Sequence, residues 1–310
     1  MPKFWKAKTI LAKTETVYAT DANPTGAADA ILASDVTFNP MEGDVVKRTV
    51  ERGFFGAQPF AIPATRSSLT LSVELVGSGT AGTAPAWSPL IRACGVAEVV
   101  TAGSKVEYTP ITTGQESASI YFDVDGTKHV MLGARGNLTV KVDANGIPVA
   151  TFTFTSLFTI PTEAARPTPD YSKWQAPQAA SSTNTPLFSI GGTPFPLRSF
   201  EFDLANDVQP RMLIGSESVL ITGRDDAALK VQVEATPLTT YDPFTVAKDG
   251  EEQAVVLQHG TVVGRKVQID LPVCLQQTPS YQDQDNILEW QLTFTPQPVV
   301  GNDDWKITLT

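Results

Sequence analysis

The chain has 310 residues, of which 42% are apolar and 18% charged, and it carries 23 prolines and 22 glycines. That length allows about two domains of ordinary size, and the composition is typical of a globular protein built from short strands and turns. The formal charge of −10 and the pI of 4.7 exclude a protein that grips nucleic acid through a basic surface, although they permit passive contact with DNA.

Residues 1–34 are predicted to form an N-terminal arm, in which residues 8–13 have the pattern of an edge strand. The charged start is not followed by an apolar segment, so we expect no signal peptide. No apolar run approaches the ~20 residues of a membrane span. Phe4, Trp5 and Tyr18 favour an arm that straps onto a neighbouring subunit over a solvated tail, because solvated tails seldom carry aromatic residues.

A first β domain is predicted over residues 35–158. Residues 69–74 alternate apolar and polar side chains, as expected for a strand with one buried face. Ser88 before Pro89 is typical of a capped helix start, and Gly95 can end that helix. Further strands are predicted at 35–39, 45–52, 105–109, 119–124, 130–132, 137–142 and 149–158.

The stretch at residues 53–63 has no regular period and contains Phe54, Phe55 and Phe60. It is either a loop that folds its aromatic rings onto the core or an exposed apolar loop that docks on another subunit. Together with Phe4, Trp5 and Tyr18, these phenylalanines are the candidate inter-subunit contacts.

Residues 159–186 contain five prolines and read as an extended linker. A second β domain, residues 187–310, then repeats the order of the first. Residues 229–234 alternate like 69–74, and Asp242-Pro243 and Gly250 stand where Ser88-Pro89 and Gly95 stood. Strand 267–271 is matched with 138–142, and 287–295 with 147–155. The order predicts an internal duplication, with two tandem β-sandwich or barrel-like domains that each carry one short flanking helix.

Residues that carry chemistry are few. His129 and His259 fall at predicted hairpin tips and are interpreted as solvated turn residues, and Cys94 and Cys274 as buried small apolar residues. Neither a metal-ligand spacing nor a phosphate-binding loop nor a nucleophile motif is present. The acidic pairs Asp225-Asp226, Asp283/Asp285 and Asp303-Asp304 are interpreted as solvated loop charges. We therefore expect a structural protein with no cofactor, and not an enzyme.

The start of the chain carries a longer pattern. It comprises FWKAKTILAK at residues 4–13, PTGA at 24–27, EG at 42–43 and FGAQ at 55–58. This pattern resembles the opening of tail tube (major tail) proteins of phages with long, non-contractile tails, over about the first 60 residues. The resemblance implies rings of six tube domains that stack into a hollow tail carrying DNA. It implies no catalytic residues.

The resemblance also implies partners: the chain itself, a tape measure protein, a tail terminator and distal tail proteins. It places the protein in the virion tail after assembly in the host cytoplasm. Because each chain would carry two tube domains, three chains complete a ring, and we expect a homotrimer with pseudo-sixfold symmetry. DNA would pass without adhesion through the acidic lumen. The alternatives are another phage structural protein, such as a capsid decoration or adhesin module, and a carbohydrate-active β-sandwich.

Overall fold

The computed structural model describes residues 2–310, which form 23 strands and three short helices. The first twelve strands are β1 (Lys8–Thr14), β2 (Ala30–Ile31), β3 (Ser34–Glu42), β4 (Val46–Lys47), β5 (Phe60–Ala61), β6 (Arg66–Glu74), β7 (Val96–Thr101), β8 (Lys105–Pro110), β9 (Ala118–Val124), β10 (Thr127–Asp143), β11 (Val149–Leu157) and β12 (Thr162–Glu163). The prediction of a mainly β fold is confirmed.

The second half contributes the remaining strands. These are β13 (Leu187–Ile190), β14 (Thr193–Pro194), β15 (Leu197–Asp203), β16 (Val208–Leu213), β17 (Ser216–Ile221), β18 (Ala228–Glu234), β19 (Glu252–His259), β20 (Val267–Gln276), β21 (Ser280–Gln284), β22 (Ile287–Pro296) and β23 (Lys306–Leu309). The helices are α1 (Gly26–Asp29), α2 (Ser88–Arg92) and α3 (Pro243–Asp249).

One antiparallel sheet runs through both halves of the chain. Its strand order is β3-β6-β11-β10-β15-β18-β22-β21. The halves meet in its middle, where residues 139–143 of β10 pair with residues 199–203 of β15. The backbone groups of each half's edge strand are thereby paired, so the junction is a continuous ladder.

A second layer covers the inner face of this sheet. The N-terminal part of β10 pairs with β9, which pairs with β1, and β1 pairs with β2. In the second half the corresponding run is β20-β19-β13-β14, and β23 flanks the other side of β20. The β7–β8 hairpin belongs to the first half, yet β8 pairs with β23. This is a second strand junction between the halves.

Alternation along the strands fills the core between the layers. On β6, Leu69 and Leu71 lie opposite Phe154 and Phe152 of β11, and all four side chains are fully buried. Burying a side chain of this size stabilises the fold by about 1.5–3 kcal/mol. The second half repeats the arrangement with Leu229 and Val231 opposite Phe294 and Leu292.

The segment predicted as an N-terminal arm is largely part of this fold. β1 pairs with β9 over all seven of its residues, and Ile10, Leu11 and Ala12 are buried. Residues 8–14 therefore belong to a sheet of their own chain. The residues before Lys8, and residues 15–29 with α1, lie outside this sheet.

The strand predictions differ from the structure at several places. The strand predicted at 45–52 is only two residues long, β4, because most of its side chains have no layer to pack on. The separate strands at 130–132 and 137–142 are one strand, β10, which continues through an irregularity near Gly133. β7 was not predicted, since its exposed Val99 and Val100 break the alternation.

The helix ends follow the predicted chemistry in one half only. Asp242 Oδ1 accepts hydrogen bonds from the backbone N–H groups of Phe244 (3.0 Å) and Thr245 (3.2 Å), and Gly250 ends α3 at φ 66°. The prediction that Ser88 caps α2 is wrong: Trp87 occupies the cap position and the Ser88 hydroxyl donates to Glu98 instead. Gly95 does adopt a positive φ, 70°.

Residues 159–186 lie along the surface of both halves, with β12 as their only strand in the described chain. Trp174 Nε1 donates to the Ala30 carbonyl at 3.0 Å, and the Ala180 N–H donates to the Gly146 carbonyl at 2.7 Å. These contacts hold the proline-rich segment against the fold at separate points, so it does not extend into solvent.

Candidate functional site

An exposed loop between β3 and β6, residues 43–65 and here called the aromatic loop, carries three of the six predicted contact residues. Phe54, Phe55 and Phe60 are exposed, Phe55 completely. The β4–β5 ladder that supports the loop has only two residue pairs. Of the two interpretations of this stretch, the one in which its rings fold onto the core is wrong. A cluster of this kind is typical of a surface that another protein covers.

A second hairpin, β16–β17, occupies the matching place in the other half, between β15 and β18. It is paired over six residues and its tip carries the exposed Leu213 and Ile214. Its base is buried, with Val219 fully covered by the first half of the chain. Arg135 Nη1 donates to the Val219 carbonyl at 2.8 Å, and Gln115 Nε2 donates to the Ile221 carbonyl at 3.1 Å. This hairpin therefore clasps the other half of its own chain.

Tyr18 belongs to this intrachain contact. Its hydroxyl accepts a hydrogen bond from the Val219 N–H at 2.6 Å, and the Arg135 guanidinium lies over its ring at 4.8 Å. Burial raises the pKa of Tyr18 above its usual range. Of the six predicted contact residues, Tyr18 is thus already used within the chain.

Phe4 and Trp5 are exposed beside the β9–β10 turn. The Phe4 N–H donates to Asp125 Oδ2 at 2.9 Å, and Lys8 Nζ lies 3.8 Å from the centre of the Trp5 ring. The predicted contact residues therefore lie in three places: this turn, the base of the β16–β17 hairpin and the aromatic loop. Sequence reasoning missed Ile214 and Val300, whose exposed side chains flank glycine turns; an apolar residue directly before a turn glycine is the signal that marks both.

The outer face of the eight-stranded sheet is polar along its length. Thr70 faces Thr153 and Ser72 faces Thr151, with hydroxyl oxygens 3.3 Å and 2.9 Å apart. Across the junction between the halves, Asn137 Nδ2 donates to Asp203 Oδ1 at 2.6 Å. Such side chains make the middle of this face a polar, hydrated surface.

The charges on this face are mostly negative. Glu201 is 3.9 Å from Lys230, and Lys141 is 3.0 Å from Asp143. Glu289 is buried and held by Arg198, whose guanidinium lowers the pKa of that carboxyl. The remaining carboxylates on the face are Glu42, which Arg66 pairs with at 3.3 Å, and Glu74, Asp203 and Glu234. Both lysines therefore have carboxylates beside them, and no free basic patch is available for a phosphate backbone.

The groups that could carry chemistry are dispersed. No cluster of three His, Cys, Asp or Glu residues within 2–310 has a geometry that could hold a metal ion. Cys94 and Cys274 are buried, as predicted. Asp303 accepts hydrogen bonds from the N–H groups of Val299, Val300 and Gly301, which makes it a turn-stabilising residue, while burial raises the pKa of Asp304.

The interpretation of both histidines as solvated turn residues is wrong. His259 is only 4% exposed, and its Nδ1 lies 3.0 Å from the Thr185 hydroxyl. His129 packs edge-on against Phe38, with ring centres 5.0 Å apart. Burial lowers the pKa of both imidazoles below the usual range.

The model of the phage tail tube protein family matches residues 5–304. The chain belongs to this family. The match extends over both halves of the eight-stranded sheet, whereas the sequence pattern carried the resemblance over about the first 60 residues. No curated protein matches the chain.

Membership makes this tail tube protein a structural component of the phage tail and places it in the virion. Within residues 2–310, none of the helices has the length and apolar character needed to cross a bilayer. This tail tube protein therefore presents two kinds of surface: exposed apolar loops and a polar sheet face.

The buried histidines predict a pH dependence of stability. Because their folded pKa values lie below the unfolded value of about 6.5, the unfolded chain binds more protons between these values. The contribution of these histidines to the free energy of unfolding should therefore be fully present above about pH 6.5 and decrease as the pH drops below it. Urea titrations at pH 7.5 and 5.5 measure this, and His259→Gln should reduce the difference. An equal difference in the variant would contradict the assignment to His259.

Proposed function

We propose that this chain builds the wall of the tail tube as homotrimeric rings in which each chain supplies two tube units. The first unit comprises residues 8–163, the second residues 187–310, and residues 164–186 connect them. The rings stack into a hollow tube through which DNA passes into the host. Relative to the boundaries expected from the sequence, the first unit gains β1, because that strand completes its second layer.

The repeated strand order carries this proposal. The run β3-β6-β11-β10-β9-β1 in the first half has the same order and direction as β15-β18-β22-β20-β19-β13 in the second. The aromatic loop and the β16–β17 hairpin occupy the same connection, as do α2 and α3. Two units of one design in one chain support a ring of six units made by three chains.

The registers agree as well as the order. Leu69 faces Phe154 and Phe38 in its sheet, as Leu229 faces Phe294 and Phe202. β9 and β10 pair Ile120 with Met131, as β19 and β20 pair Val255 with Leu271. By this register, residues 267–271 correspond to 127–131 and not to 138–142, the match taken from the sequence. A slip of one residue would turn every side chain to the opposite face, so agreement over several strands supports a common ancestor of the two units.

The polar face of the eight-stranded sheet is the surface we assign to the lumen. Its side chains are mainly hydroxyls and amides with carboxylates in excess, and its lysines are each close to a carboxylate. DNA phosphates are repelled by carboxylates within about a Debye length, ~10 Å, and find no cluster of cations to hold them. Passage without adhesion follows from this surface chemistry.

Contacts between rings are assigned to the aromatic loop and to the residues before β1. Both carry exposed aromatic side chains, and the fold leaves Phe4, Trp5, Phe54, Phe55 and Phe60 uncovered. Tape measure, terminator and distal tail proteins are the further partners that the family implies.

The ring itself is tested by cryo-electron microscopy of tubes assembled from purified protein. Three chains per ring, with density for two similar units in each, is the expected result. Six chains per ring would contradict the trimer while leaving a tube. Protein that stays monomeric at high concentration, with no tubes, would contradict the proposed function altogether.

Substitution of the aromatic loop should separate folding from stacking. Because the three rings are exposed, Phe54→Ser/Phe55→Ser/Phe60→Ser should leave the melting temperature within a few degrees of the wild type. Tube length and yield in electron micrographs should fall strongly. Ile160→Ser, which removes another exposed apolar side chain outside the loop, is the matched control and should form normal tubes. Normal tubes from the triple variant would exclude this loop from the stacking contact.

A basic lumen should retain DNA. Thr153→Lys/Thr293→Lys adds cations to the centre of the polar face, and tubes of this variant should bind duplex DNA with an affinity that falls steeply as salt rises. Thr240→Lys, beside α3 on the other side of the core, is the control for charge alone. A filter-binding assay measures both. Equal binding by the two variants would show that this face does not line the lumen.

A further inference from the structure

We infer that β21 of one chain pairs with β3 of a second copy, in the antiparallel register that the chain already uses between β10 and β15. The inference rests on the proposed ring and specifies the strands and residues at its chain-to-chain seam. The two strands stand at opposite ends of the same eight-stranded sheet, and in residues 2–310 each has a strand partner on one side only.

β21 is the counterpart of the C-terminal part of β10. Val140 of β10 pairs with Ala150 of β11, and Tyr281 of β21 pairs with Trp290, at the equivalent position of β22. In the first unit the other side of this strand is taken by β15. In the second unit that side of β21 is open.

β3 is the counterpart of β15. Phe38 of β3 pairs with Leu69, as Phe202 of β15 pairs with Leu229. The outer side of β15 is taken by β10, where Val140 faces Phe202. The outer side of β3 carries unpaired backbone groups. β21 of a neighbouring chain would pair with them, as β10 pairs with β15 within the chain.

The intrachain junction therefore sets the register between chains. Within the chain, Val140 lies opposite Phe202 and Lys141 opposite Glu201. At the equivalent positions between chains, Tyr281 would lie opposite Phe38 and Gln282 opposite Thr37. Tyr281 is 59% exposed and rests on Phe244 with ring centres 5.6 Å apart, while Phe38 stacks on Phe122 at 4.4 Å. Pairing would place these aromatic residues side by side, and the hydroxyl and amide of Thr37 and Gln282 on the polar face.

The side chains at the open end of the sheet fit a second copy as the occupant. Ile287 and Leu288, at the start of β22 beside β21, are exposed as well as Tyr281. Since the two edges are different surfaces at opposite ends of one molecule, their contact is head-to-tail, and such contacts generate a ring when the rotation between copies closes.

A pair of cysteines tests the register. Directly opposite residues of an antiparallel ladder have Cβ atoms about 4.5–5.5 Å apart, close enough for a disulfide after small adjustments. Thr37→Cys/Gln282→Cys should give covalent dimers and trimers on a non-reducing denaturing gel after mild oxidation of assembled protein. Bands beyond trimer should be absent, because the ring closes. The native Cys94 and Cys274 are fully buried and give no background.

Two matched variants complete the experiment. Lys141→Cys/Glu201→Cys is the equivalent pair within the chain and should form an intrachain disulfide. It tests the register of the junction between β10 and β15, from which the register between chains is taken. Thr37→Cys/Tyr281→Cys shifts the pair by one residue to opposite faces and should cross-link roughly tenfold less.

The outcomes separate this inference from the function on which it rests. Trimeric rings in which Thr37→Cys/Gln282→Cys stays uncross-linked, or in which the shifted pair reacts better, would overturn the seam and leave the tube role intact. Protein that forms neither rings nor tubes would overturn both. Covalent trimers from the first pair support the seam with its register.

Discussion

The demand that every strand edge finds a hydrogen-bonding partner governs this molecule. The junction between β10 and β15 satisfies that demand in the middle of the chain, where backbone ladders of both halves merge into one sheet. Because the junction fixes register as well as contact, the apolar residues of both halves face the same side and share one continuous core. The polar face follows from the same alternation, without any separate device. At the two ends of the sheet, β3 and β21 each have a strand partner on one side within residues 2–310, so their other sides are open to a neighbouring chain.

Much of this architecture is readable from side-chain alternation. Strands β6, β11 and β18 each show it over most of their length, because one face packs on the core and the other meets water. The order of strand, short helix and glycine in both halves is equally visible in the sequence, although only α3 has the side-chain cap that the sequence predicts. The family was accessible from a short N-terminal pattern, and the match to the family extends it over nearly the whole chain.

Other features depend on contacts that no local pattern records. Ser88 has the chemistry of a cap, but Glu98 from the next hairpin competes for its hydroxyl. Tyr18 reads as an exposed arm residue, yet the β17 strand from the distant second half lies on its hydroxyl. His259 is the last residue of an alternating strand and is buried, with Thr185 of the proline-rich segment bonded to its ring. Each of these outcomes is decided by a residue at least ten positions away, and burial of the histidine or tyrosine depends on packing between halves.

The β7–β8 hairpin has no counterpart in the second half, and β8 gives each chain an additional strand pairing to its own β23. Adjacent units inside a chain are thus joined by two ladders and a covalent connection, whereas the seam between chains would have one ladder. In the proposed ring of three chains, strong and weak joints would therefore alternate around the circumference. Under tension it would open at three places and release intact chains, and its outer surface would present features with threefold spacing around a lumen of nearly sixfold regularity.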